Sequence, residues 1–138
     1  MEQKNKLSFF LPIHIPTKTH QEKRIAVKNN KPVVYEDEEL KEVRSKYEAH
    51  LSKYAPAEPM TGAVELHVTW CFPIQGKHKN GEPKITKPDT DNMIKLFKDC
   101  MTATGYWKDD AQVFREVSEK FYSNAEGVFV IVYNDSIM

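Results

Sequence analysis

The chain has 138 residues, 40% hydrophobic and 29% charged, which is the size and make-up of one globular domain and excludes disordered or fibrous classes. Lys and Arg total 20 against 20 Asp and Glu, so no overall basic excess draws the chain to nucleic acid. The two cysteines, Cys71 and Cys100, form no CxxC pair, which argues against a zinc knuckle and a disulfide scaffold, and no apolar run reaches the ~18 residues of a membrane helix.

In chain order, Met1 to Lys6 leads into an apolar stretch too short and proline-rich for a signal peptide, so the expected location is cytoplasmic. Leu7 to Ile15 reads as extended, limited to an edge or strand end by Pro12 and Pro16. Thr17 to Lys31 has no core period and reads as a loop. It is basic: Lys18, Lys23, Arg24, Lys28 and Lys31 face one acid, Glu22. Asp37 to Tyr54 is a predicted helix, with Leu40, Val43, Tyr47, Leu51 and Tyr54 recurring every three or four residues.

Val64 to Phe72 is the clearest strand. Val64, Leu66, Val68, Trp70 and Phe72 alternate with Glu65, His67, Thr69 and Cys71, which suits an antiparallel strand with one buried face. A second basic segment follows, with Lys77, Lys79, Lys84 and Lys87 against Glu82, and Asn80-Gly81 marks a tight turn within it. Asn92 to Thr104 is a predicted helix with Asp91 at the N-cap place and Gly105 past its end. Val113 to Tyr122 and Val128 to Tyr133 are predicted strands joined by a hairpin loop, the last one nearly all apolar and central. The expectation is an α/β (α+β) fold over residues 1–138. It has a mixed, largely antiparallel β-sheet of about four strands with two main helices packed on it.

The chemistry concentrates in Lys87 to Lys95 and Gly105 to Val113. If Asp89 to Asp91 is extended, both carboxylates leave the same side of the chain, as a hard cation with oxygen ligands requires. Asp109 or Asp110 supplies a third acid if the loop after the helix folds back. Lys95 lies four residues after Asp91 and four before Asp99, so the three share one helical face. A lysine beside carboxylates and metal suits phosphodiester chemistry, where negative charge develops on phosphorus and the leaving oxygen. Each residue also has an ordinary structural reading. Asp91 caps a helix, Asp89 follows a proline in a turn, Asp109-Asp110 form a solvated turn, and Lys95 makes a surface ion pair. Spacing and charge leave both readings open.

Asp89-x-Asp91-Asn92-x-x-Lys95 with Asp99, then Gly105-aromatic-Trp107-x-Asp109-Asp110-x-Gln112-Val113, resembles the signature of the RusA family of Holliday junction resolvases. The resemblance implies a homodimeric, Mg²⁺-dependent endonuclease, mostly of phages and prophages, that nicks two strands of a four-way DNA junction symmetrically. The family's paired acids fall on Asp89 and Asp91, its third acid on Asp110 and its catalytic lysine on Lys95; Asp109 is a supporting residue. Where the family can carry an arginine-rich run before the acids, this chain has Lys84-Ile85-Thr86-Lys87-Pro88.

The resulting expectation is that Asp89, Asp91 and Asp110 hold Mg²⁺ and Lys95 stabilises charge. Lys77, Lys79, Lys84 and Lys87 are expected to contact the DNA backbone, with Lys18, Lys23 and Arg24 as further candidates. Two alternatives stand beside it: a nuclease for flaps, forks or duplexes with the same site, and a DNA-structure-binding protein without turnover.

Overall fold

The computed structural model describes residues 5–16, 23–28, 31–36 and 38–137, the second and third of these stretches by their backbone alone. Strands β1 (Lys6–Leu11), β2 (Lys23–Lys28) and β3 (Lys31–Glu36) precede helix α1 (Glu38–Leu51). Then come β4 (Val64–Pro73), helix α2 (Thr90–Ala103), a single 3₁₀ turn (Asp110–Gln112), β5 (Val113–Ser123) and β6 (Gly127–Tyr133). The main sheet has the order β1-β6-β4-β5, and β2 and β3 pair with each other as a separate antiparallel ribbon. Residues 23–28, expected to be loop, are therefore strand. Ile25 and Val27 alternate with charged residues or alanine there, a period too short to register against the surrounding lysines.

β6 runs antiparallel to both β1 and β4, whereas β4 and β5 are parallel. The β4 strand is thus antiparallel on one side only, and the sheet is mixed. β5 and β6 do not form the expected hairpin: β4 lies between them, and residues 124–126 cross over its end. Gly127 makes that crossing possible. Its φ is +155°, and a Cβ there would lie 2.3 Å from the Leu11 carbonyl oxygen and 2.4 Å from the Phe10 ring.

The alternation read in β4 decides which face is buried. Val64, Leu66, Val68, Trp70 and Phe72 join Val128, Val130 and Val132 of β6 and Phe9 and Leu11 of β1. Both helices pack on this face. From α2 come Met93, Ile94, Leu96, Phe97, Cys100 and Met101, and from α1 Leu40, Tyr47 and Leu51. Phe97 is the hinge of the packing, edge-on to Tyr47 at 5.1 Å and to Trp70 at 5.4 Å between ring centres, an arrangement that aromatic quadrupoles favour. Among the described residues no helix is long and apolar enough to cross a membrane.

The direction of α2 matters most for the site. Between parallel β4 and β5 the chain must return along the sheet, so α2 runs opposite to β5. Its start lies by Lys120, which bonds Thr86 and Pro88, and its middle lies by Glu116, which pairs with Lys98 at 2.7 Å.

Candidate active site

Asp89 is the N-cap residue of α2, extended at φ −76° and ψ 141°, and its side chain makes no capping hydrogen bond. The cap falls two residues earlier than the sequence suggested, so Asp91 lies within the first helical turn. Both acids are exposed. A negative side chain at this end of a helix sits favourably against the positive end of the helix dipole. The ordinary reading of an aspartate here is a cap, and Asp89 is not used as one. Hard carboxylate oxygens free of capping bonds suit a divalent metal.

Lys95 is exposed one turn after Asp91, on the face of α2 opposite the core. Asp99 turns to the other helix: its carboxylate lies 3.8 Å from Arg44 Nη2 on α1. It therefore ties α1 to α2.

At the far end of α2 the second acid pair divides its labour. Asp109 accepts from Ala111 N at 2.8 Å, while Gln112 Oε1 accepts from Asp109 N at 3.2 Å and from Lys108 N at 3.1 Å. This is a reciprocal cap of the 3₁₀ turn. Gln112 Nε2 then donates to the carbonyls of Met60 at 2.9 Å and Gly62 at 3.1 Å, pinning the turn to the segment before β4. Asp109 is thus occupied, and Asp110 is the member of the pair with no capping duty. Beneath them Trp107 is buried, its Nε1 donating to Thr102 Oγ1 at 2.7 Å, and buried Tyr106 donates to the Leu51 carbonyl at 2.6 Å.

The two acid pairs do not meet within one chain. α2 is about 20 Å long at 1.5 Å per residue, with Asp89 and Asp91 at one end and Asp110 beyond the other. The loop after α2 does not fold back; it enters β5, which runs away from Asp110 toward Lys120. Among the described residues no three His, Cys, Asp or Glu side chains come together to hold a metal.

The basic residues fall into three groups. Lys77 and Lys79 are exposed in the segment between β4 and α2. Lys84 is engaged: its ammonium lies over the rings of Phe72 (5.2 Å) and Tyr122 (5.3 Å) and donates to Thr86 Oγ1 at 2.6 Å. Lys87 is exposed and, with Lys84, Pro88, Phe72, Tyr122 and His14, lines a cleft of about 260 Å³. The Lys87–Pro88 peptide is cis. Lys18 lies outside the described residues, as do the side chains of Lys23 and Arg24.

Sequence reasoning passed over Lys120. On β5 it shares a face with Glu116, Ser118 and buried Tyr122, and Ser118 accepts from Trp70 Nε1 at 2.9 Å. Its Nζ donates to the Thr86 carbonyl at 2.5 Å and the Pro88 carbonyl at 2.8 Å. Burial holds its ammonium below the usual lysine range, Lys84 lowers it further, and the Asp89 carboxylate acts the other way. Both partners of its ammonium are backbone carbonyls, which leave no signal in the sequence.

The family model for "Endodeoxyribonuclease RusA" matches residues 15–133. A "Crossover junction endodeoxyribonuclease rusA" of Lactococcus phage r1t is 36% identical over 67 residues, which are 47% of this chain and 51% of that protein. The "Uncharacterized protein YqaN" of Bacillus subtilis (strain 168) is 33% identical over 92 residues, 59% of this chain and 64% of that one. The chain thus spans about half the length of the first relative and under two thirds of the second.

Proposed function

Since this chain belongs to the RusA endodeoxyribonuclease family, we propose that it is a metal-dependent endonuclease that resolves four-way (Holliday) DNA junctions by paired symmetric nicks. One observation carries the chemistry: Asp89 and Asp91 flank the start of α2 with the Asp89 carboxylate not spent on capping, and Lys95 stands one turn further along the exposed face. The phage relative's name gives the substrate class.

Asp89 and Asp91 would hold Mg²⁺ together with Asp110. Because Asp110 belongs to the opposite end of α2, the third acid of each site is proposed to be Asp110 of the partner subunit in a homodimer. A two-fold axis makes such exchange reciprocal, giving two equal sites for two nicks. When bound, the metal supplies a polarised phosphoryl oxygen and a water acidic enough to act as nucleophile. The chain's residues do the rest. The aspartates fix where the scissile phosphate sits, and Lys95 offers a positive charge to the oxygens that become more negative in the transition state. Asp109 and Gln112 keep the turn carrying Asp110 rigid. Lys77, Lys79 and Lys87 are the proposed backbone contacts, with Lys18, Lys23 and Arg24 alongside.

A panel of four-way junction, flap, fork and duplex DNA, each with one labelled strand and with Mg²⁺ present, tests the proposal. Preferential paired cutting of the junction supports it. Equal rates across the panel would replace it with a general branched-DNA nuclease. Binding without any cut would leave a structure-binding protein.

A further inference from the structure

Lys120 joins the edge of the sheet to the segment that carries the acid pair. Its ammonium bonds the carbonyls of Thr86 and Pro88, and its own carbonyl accepts from Lys84 N at 3.0 Å. Three hydrogen bonds from one residue therefore hold residues 84–88 against β5, up to the residue before Asp89. The anchor itself is fixed. Lys120 pairs with Trp70 in the β4–β5 ladder, and Trp70 is fully buried. The neighbouring bonds Gly81 N to Tyr122 O (2.8 Å) and Tyr122 N to Glu82 O (2.9 Å) extend the same edge upstream. Asp89 makes no capping bond, so the direction of its carboxylate is set by the backbone that enters the helix rather than by the helix. Two charge-assisted bonds to carbonyls only two residues apart are the strong kind.

We infer that Lys120 is a positioning residue of the acid site: it clamps the Thr86–Pro88 backbone so that Asp89 and Asp91 are presented together to a divalent cation, without touching DNA itself. This rests on the reading of Asp89 and Asp91 as metal-holding acids.

The test compares full-length wild type, Lys120→Met and Lys120→Arg by calorimetric binding of Mn²⁺ without DNA, with thermal unfolding and Mg²⁺ titration of junction cleavage alongside. Residues behind a metal ligand typically alter affinity 10- to 100-fold, so Lys120→Met is expected to weaken Mn²⁺ by at least about tenfold. Its half-maximal Mg²⁺ should rise in step, and saturating Mg²⁺ should restore most of the cleavage rate. Lys120→Arg, which keeps charge and donors, should recover most of the affinity. Lys120→Gln takes the place of Lys120→Met if the latter unfolds. Wild-type Mn²⁺ affinity in a folded Lys120→Met or Lys120→Gln overturns the inference and leaves the acid pair standing. A wild-type protein that binds no Mn²⁺ overturns the acid-pair reading, and the inference with it.

Discussion

Asp89 and Asp110 stand at opposite ends of α2, with the full length of the helix between them. Their separation converts a question of catalysis into one of assembly. If both acids serve one metal site, the site lies between two chains.

Mixing variants reads this directly. Asp91→Asn and Asp110→Asn are each expected to be inactive as homodimers. In a heterodimer formed by joint refolding, one site carries both changes and the other carries neither, so one nick per junction should return. A site contained within a single chain would leave every site of the mixture damaged, and cleavage would stay absent.

Asp109 and Asp110 should separate stability from chemistry. Asp109→Ala removes the cap of the 3₁₀ turn, and loss of such a cap costs about 1 kcal/mol. Asp110→Ala removes no capping bond, so its unfolding midpoint in urea should match wild type while cleavage is lost. Equal destabilisation by both changes would contradict the division of labour.

The exposed and engaged lysines should behave differently. Each phosphate contact contributes a slope of about −0.9 to the dependence of log affinity on log salt. Lys77→Ala with Lys79→Ala should weaken junction binding and flatten that slope by about two units while leaving stability unchanged. Lys84→Ala should lower thermal stability as well, because it uncovers the rings of Phe72 and Tyr122.

Alkaline pH should act through two buried phenols. Burial raises Tyr47, with Cys100 adding to it, and burial likewise raises Tyr106, with Tyr54 adding. An unfolded tyrosine ionises near 10, so below that pH both states keep the proton and stability is unaffected. Above it the unfolded chain releases protons that the fold retains, and stability falls as pH rises. The thermal midpoint should decline beyond about pH 10, and Tyr106→Phe should lessen the decline. At neutral pH that variant should cost about 1 to 2 kcal/mol, because the Leu51 carbonyl loses its buried donor.

The fold was legible wherever a face is buried. The period of two in β4 and the Met93, Ile94, Phe97, Cys100, Met101 spacing of α2 each name the residues the structure buries. What escaped depends on partners distant in sequence. The β5–β6 connection has the length of a hairpin, yet β4 separates the two strands, and only the crowding at Gly127 marks the crossing. The acids and Lys95 were legible as a motif, but their placement was not. A spacing along the chain does not say that the strand after α2 runs away from Asp110 instead of folding back. Lys120 and Gln112 belong to the same class. Their partners are backbone carbonyls, which carry no mark in the sequence.

Whether the acid pair cuts junction DNA is read most simply on a synthetic four-way junction with one labelled strand, incubated in Mg²⁺ and, in parallel, in EDTA. A metal-dependent resolvase gives paired symmetric nicks in Mg²⁺, none in EDTA, and none with Asp91→Asn although that variant still binds the junction. Nicks that persist in EDTA or in Asp91→Asn, or binding with no cut in either Mg²⁺ or Mn²⁺, would contradict that reading.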